Sequence, residues 1–140
     1  MILDITDGIS IKLNELFGDD YNTYTENVKQ GLQEPCFFIK PLKVNTNQFL
    51  GNRKERRYPF DIAFFTDAGN EEMMSVGEQM LDGLEYITLT NGDIVRCLSS
   101  DMDIVDDVLH VSVTYSVILN SIETEEAMDT LETNIGTKGD

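Results

Sequence analysis

The sequence contains no tryptophan, one histidine, two cysteines and three prolines, and its ten lysines and arginines face twenty-six acids for a formal net charge of -16. Each shortage excludes something. Nucleic-acid binding draws most of its affinity from cations that release phosphate counterions, so a chain this acidic is not an ordinary nucleic-acid binder. Cys36 and Cys97 lie in apolar runs without CxxC or CxxH spacing. They read as reduced, buried thiols, with a disulfide as the alternative. No apolar run approaches the roughly 18 residues of a membrane span, and "MILDITDGIS" has no cationic leader pattern, so a soluble, intracellular protein is expected.

The scarcity of histidine removes most histidine-dependent catalysis. His110 stands on the alternate face of an expected strand, with no cysteine or carboxylate at ligand spacing beside it, and reads as solvent-facing or internally satisfied. Asp101, Asp103, Asp106 and Asp107 resemble the start of a calcium loop, but the sixth and twelfth positions would be Asp106 and Ser112 where glycine and glutamate are required. A charged turn between two strands is the simpler reading. There is no phosphate loop and no GxSxG, and Met73, Met74 and Met80 read as core filling rather than a recognition groove. The expectation is a protein without enzymatic activity, metal or cofactor.

What is present is a foldable pattern. Hydrophobic residues make up 41% of 140 positions, enough for one domain with a buried core. Ile5, Ile9, Leu13, Leu16 and Phe17 recur at helical spacing, predicting a helix over 4–17 that ends at Gly18. Met73, Val76, Met80, Leu81 and Leu84 predict a second over 71–85, opened by Asn70. Tyr21, Tyr24 and Val28 suggest a short strand before a turn at Gly31, and "CFFIKPLKV" a strand that Pro41 places at an edge or an end. A polar loop is expected over 45–52. Tyr58, Phe60, Ile62 and Phe64 then alternate with Arg57, Pro59, Asp61 and Ala63 in a long strand, hairpinned with 36–43. Asn91-Gly92 marks a hairpin, and 109–119 alternates as another long strand. The fold class is α+β: a mostly antiparallel sheet of five to six strands packed by two helices, in one domain over 1–120. Residues 121–140 form an acidic tail, either mobile or holding a short helix around Ile122, Met128 and Leu131.

Against this acidic background "GNRKERRYPF" concentrates Arg53, Lys54, Arg56 and Arg57 within five residues. Its plain reading is a solvated hairpin arm whose cations discourage edge pairing. Its functional reading is a contact surface for an acidic neighbour.

The succession "ISIKLNELFG", "YTENVKQGLQEPCFFIK", "RKERRYPFDIAFF", "GEQMLDGLEYI" and "VLHVSVTYSV" resembles the tail-terminator (tail-completion) proteins of tailed bacteriophages and defective prophages of Gram-positive bacteria. The resemblance covers 5–119. It implies a structural subunit, in a ring matching the sixfold symmetry of the tail tube, that caps the tube's head-proximal end and stops its polymerisation. Such a subunit partners itself, the tube protein and the head–tail connector or neck proteins. DNA slides through without specific binding, no membrane is involved, and the protein is made in the host cytoplasm and ends in the virion tail or a tail-like particle. Within that picture Arg53, Lys54, Arg56 and Arg57 are candidate inter-subunit or tube contacts. The complementary surface is either the acidic stretch Asp101, Asp103, Asp106 and Asp107 or the C-terminal tail. The competing readings are a head-closure or other neck protein, and an acidic DNA mimic that occupies a basic cleft on a host protein.

Overall fold

The computed structural model describes residues 1–25 and 33–120. In chain order the elements are α1 (Ile2–Phe17), β1 (Asn22–Tyr24), β2 (Cys36–Pro41), β3 (Asn45–Gln48), β4 (Arg53–Phe65), α2 (Asn70–Gly83), β5 (Tyr86–Thr88), β6 (Ile94–Val105) and β7 (Val108–Asn120). The strands join in the order β1-β2-β4-β7-β6-β5, with β3 attached to β4. β1 runs parallel to β2, whereas the β2–β4, β5–β6 and β6–β7 pairs are antiparallel. The class is therefore the expected α+β, with seven strands among the described residues where five or six were expected. The described residues divide into two compact units, 1–25 and 33–45 with Arg57–Ser116, and Thr46–Arg56 with 117–120. The expected turn at Gly31 and the tail helix after residue 120 lie outside the described residues.

Two amphipathic helices bury the apolar face of the first unit's sheet. Ile5, Ile9 and Leu13 of α1 and Met73, Val76 and Met80 of α2 are buried, as are Phe37 and Ile39 of β2, Phe60, Ile62 and Phe64 of β4, and Leu109, Val111, Val113 and Tyr115 of β7. Gly18 ends α1 at φ 79, and its N–H donates to the Asn14 carbonyl. That backbone conformation costs a residue with a Cβ, which is why glycine marks the stop. α2 begins at Asn70 with Gly69 as its cap, so Asn70 is inside the helix instead of capping it. Gly77 lets α2 approach β6 closely: a Cβ there would lie 2.6 Å from Met102 Sδ.

Phe17, Tyr21, Phe37 and Phe64 form a ring cluster with centroids 4.9 to 5.6 Å apart, tying the end of α1 to β2 and β4. The Tyr21 hydroxyl donates to Glu72 Oε2 at 3.1 Å and so reaches the first turn of α2. Under α2, the buried Tyr115 hydroxyl donates to the Leu84 carbonyl at 2.7 Å, satisfying a carbonyl at the helix end. Burial raises the Tyr115 pKa far above its ordinary value. Burial, helped by Glu34, pushes the Cys36 thiol up to about 11 from 9.0. Both cysteines are free.

The Asn91-Gly92 hairpin forms, with residues 90–92 as a three-residue loop inside the hydrogen bond between Leu89 and Asp93, beyond the last ladder pair Thr88 and Ile94. Gly92, at φ 94, donates to the Leu89 carbonyl, and the Leu89 N–H donates to the Asp93 carbonyl. The left-handed glycine after a tight turn is the three-residue hairpin loop that glycine permits.

A buried acid whose folded pKa is raised stabilises the fold fully below its unfolded pKa, and that contribution is lost as pH rises toward the folded value. For Cys36 the window runs from 9.0 to about 11. Urea melts between pH 8 and 11 should show stability falling with pH, with a shallower fall in Cys36→Ala. Tyr115→Phe should lower stability at neutral pH by about 1 kcal/mol, the worth of a neutral hydrogen bond.

Candidate assembly surfaces

The cations of the opening motif lie on an arm. β3 pairs with the first part of β4, and the turn between them is closed by the Phe49 N–H donating to the Arg53 carbonyl at 2.8 Å. This corrects two expectations. Residues 45–52 are not simply a loop, since Asn45–Gln48 is a strand. Nor does the cationic segment hairpin with 36–43: β2 pairs only with Phe60–Phe65 of β4, ending at Pro41 opposite Phe60. The sequence hid β3 because its four residues are all polar and all exposed, leaving no alternation to read.

Strand geometry separates the four cations. Arg53 and Arg57 share one face of β4 and Lys54 and Arg56 the other; Arg53 is exposed and the other three are half-buried. Between them Glu55 is 8% exposed, a buried acid inside the basic run. Arg56 Nε donates to Thr46 Oγ1 at 2.9 Å, so its guanidinium lies across β3. At the tip, Phe49 and Leu50 are 45% and 94% exposed and line an open hollow with Gln48 and Arg53. An apolar pair inside an otherwise polar stretch was the available sequence signal for this tip.

The acidic stretch divides between a strand and a turn. Asp101 and Asp103 belong to β6, exposed and opposite Ser112 and His110 of β7, while Asp106 and Asp107 alone make the turn. The expected turn over 101–107 is thus two residues long. It holds Asp106 at φ 52 and Asp107 at φ 63, the doubly left-handed geometry of a two-residue hairpin. On the sheet face away from the helices, His110 Nδ1 lies 3.2 and 3.1 Å from the two carboxylate oxygens of Asp61. Lys40 is in register with Asp61, and Asp103 with His110. Lys40, Asp61, His110 and Asp103 therefore form a row across β2, β4, β7 and β6 in which acids stand beside basic groups. His110 is a satisfied strand histidine, and its partner was invisible locally because Asp61 is 49 residues away.

Among the described residues no three His, Cys, Asp or Glu side chains are placed to hold a metal ion. No described helix is long and apolar enough to cross a membrane. The surfaces are built of charge, strand edges and a small apolar tip, which suits contact with another macromolecule.

The sequence model of the family described as phage tail terminator protein matches residues 4–128. The chain belongs to the phage tail terminator family. That family is structural and non-enzymatic, so this tail terminator is a phage tail component and its role is assembly with other parts of the phage. No curated protein sequence matches it.

The turn yields a direct stability prediction. Replacing Asp106-Asp107 by Asn-Gly installs the pair this turn prefers, with asparagine tolerating the left-handed conformation at 106 and glycine removing the Cβ at 107, and the double variant should be stabilised by about 0.5–1 kcal/mol in denaturant melts.

Proposed function

We propose that this tail terminator caps the head-proximal end of the tail tube as a hexameric ring, ends polymerisation of the tube protein and offers the surface on which the head is joined. The observation that carries the reading is the family match over 4–128, which takes in all of α1 beyond its first two residues and every later described element of the fold. The charge balance supports it. A ring through which DNA slides works best when its wall does not attract phosphate, and a net charge of -16 provides repulsion. The protein acts in the host cytoplasm during assembly and ends in the virion tail.

A ring of head-to-tail contacts requires two different, complementary patches on every subunit. The arm with Arg53, Lys54, Arg56 and Arg57 is the basic one, serving the neighbouring subunit or the tube. Asp101, Asp103, Asp106 and Asp107 form the acidic one. Identical subunits of this charge repel one another, and local pairing of unlike patches offsets that repulsion where it matters. Membership of a structural tail family leaves the DNA-mimic reading without support. A head-closure or neck role differs in its partner, which would be the connector and not the tube.

The decisive experiment polymerises the tube protein of the same phage with and without this protein and measures tube lengths by electron microscopy. Shortened tubes with density at one end are expected. Full-length tubes with bare ends would overturn the capping role. Replacing Arg53, Lys54, Arg56 and Arg57 together by serine should weaken capping or self-association, with the deficit largest at low salt because the lost attraction is screened beyond about 10 Å at 0.1 M. Circular dichroism should show the fold retained.

A further inference from the structure

β6 has an unused edge. β5 pairs with it only through Ile94, Val95 and Arg96, and the last bond on that side is the Cys97 N–H donating to the Glu85 carbonyl at 2.7 Å. From Leu98 to Val105 no strand lies on that side among the described residues, although on the other side Ser99 to Val105 are paired with β7 throughout, Leu98 falling at a register shift. In a two-residue hairpin the closing pair, here Val105 and Val108, exchanges both of its bonds, and pairs alternate from there. The N–H and C=O groups of Ser100, Met102 and Ile104 therefore point outward. One contact agrees with this assignment: the Ile104 N–H, lacking a strand to bond, donates to Asp103 Oδ1 at 2.9 Å.

The arm has the matching feature. Among the described residues β3 is bonded to β4 on one side only, and the strand carries four uncharged polar residues, with neither lysine nor proline to block pairing. The Phe49 N–H is turned inward to Arg53, so by alternation the N–H groups of Thr46 and Gln48 point out. Arg56, lying across β3 on Thr46, places a cation at this edge, while Asp101 and Asp103 place carboxylates at the edge of β6.

We propose that β3 of one copy adds as an extra strand to the outer edge of β6, between Ser100 and Ile104, in the neighbouring copy. This deepens the reading of the chain as a ring-forming subunit and rests on it. Strand addition satisfies backbone groups on both copies at once, and side chains at the two edges choose the partner. Charge supplies the choice. A β6 edge paired with another β6 edge would set Asp101 and Asp103 against themselves, whereas the arm brings Arg56. Like edges repel and unlike edges attract, which disfavours a two-fold dimer and favours a head-to-tail chain that closes.

Proline tests this through the backbone alone. Ser100→Pro and Gln48→Pro each remove an outward N–H, the position at which an edge strand tolerates proline, so each variant should fold with a melting temperature close to wild type. Two variants on opposite edges keep the test decisive should either one fold poorly. Each should weaken ring formation or tube capping at least tenfold, and in the wild type the amide hydrogens of Ser100 and Met102 should exchange at least tenfold more slowly once assembled. If wild type, Ser100→Pro and Gln48→Pro all assemble equally well, the strand-addition contact is wrong while the ring-forming role stands. If the two amides are already protected in the isolated monomer, the chain covers its own edge and the inference falls. A wild type that neither assembles nor caps tubes removes both readings together.

Discussion

Burial of one sheet face beneath α1 and α2 is the interaction on which the rest of the molecule depends. Both helices spend their apolar stripes on the same side, held close by Gly77 against β6 and by the ring cluster of Phe17, Tyr21, Phe37 and Phe64. The buried hydroxyl of Tyr115 fixes the end of α2 from below. What the helices do not cover is left for charge: the row Lys40, Asp61, His110, Asp103 on the opposite face, and a strand edge that ends in acids. Such a division suits directional contact, because a hydrophobic outer face would associate without regard to direction.

The elements that carry the core were legible in the sequence because burial imposes a period. α1 and α2 follow from residues at three- and four-residue steps, and β4 and β7 from the alternation of Tyr58, Phe60, Ile62 and Phe64 and of Leu109, Val111, Val113 and Tyr115. Where nothing is buried, no period is written. β3 is a strand because β4 offers it a ladder, not because Asn-Thr-Asn-Gln prefers extended backbone. Asp101 and Asp103 looked like turn residues by composition, yet their register with Ser112 and His110 makes them strand residues. The pairing of Asp61 with His110 is a tertiary fact that spacing cannot reveal.

The basic run shows the same limit at the candidate site. Its existence was plain in the sequence, and so was its contrast with the rest of the chain. Its geometry was not: alternation divides the four cations between two faces, buries Glu55 among them and lays Arg56 over Thr46. A cluster in one dimension becomes a two-faced arm in three, with Phe49 and Leu50 exposed at its tip. The family match adds the biological setting, since charge and strand edges alone indicate an assembly surface without saying what is assembled.

The central claim is that complementary charged surfaces drive this chain into a ring upon the tail tube. Light scattering on size-separated material tests it most directly, with the protein alone and with its tube protein, at low and at high salt. The account predicts a species near six times 15.8 kDa, alone or templated on tubes, that diminishes as salt rises. A strict monomer at every salt concentration, indifferent to the tube protein, would contradict it.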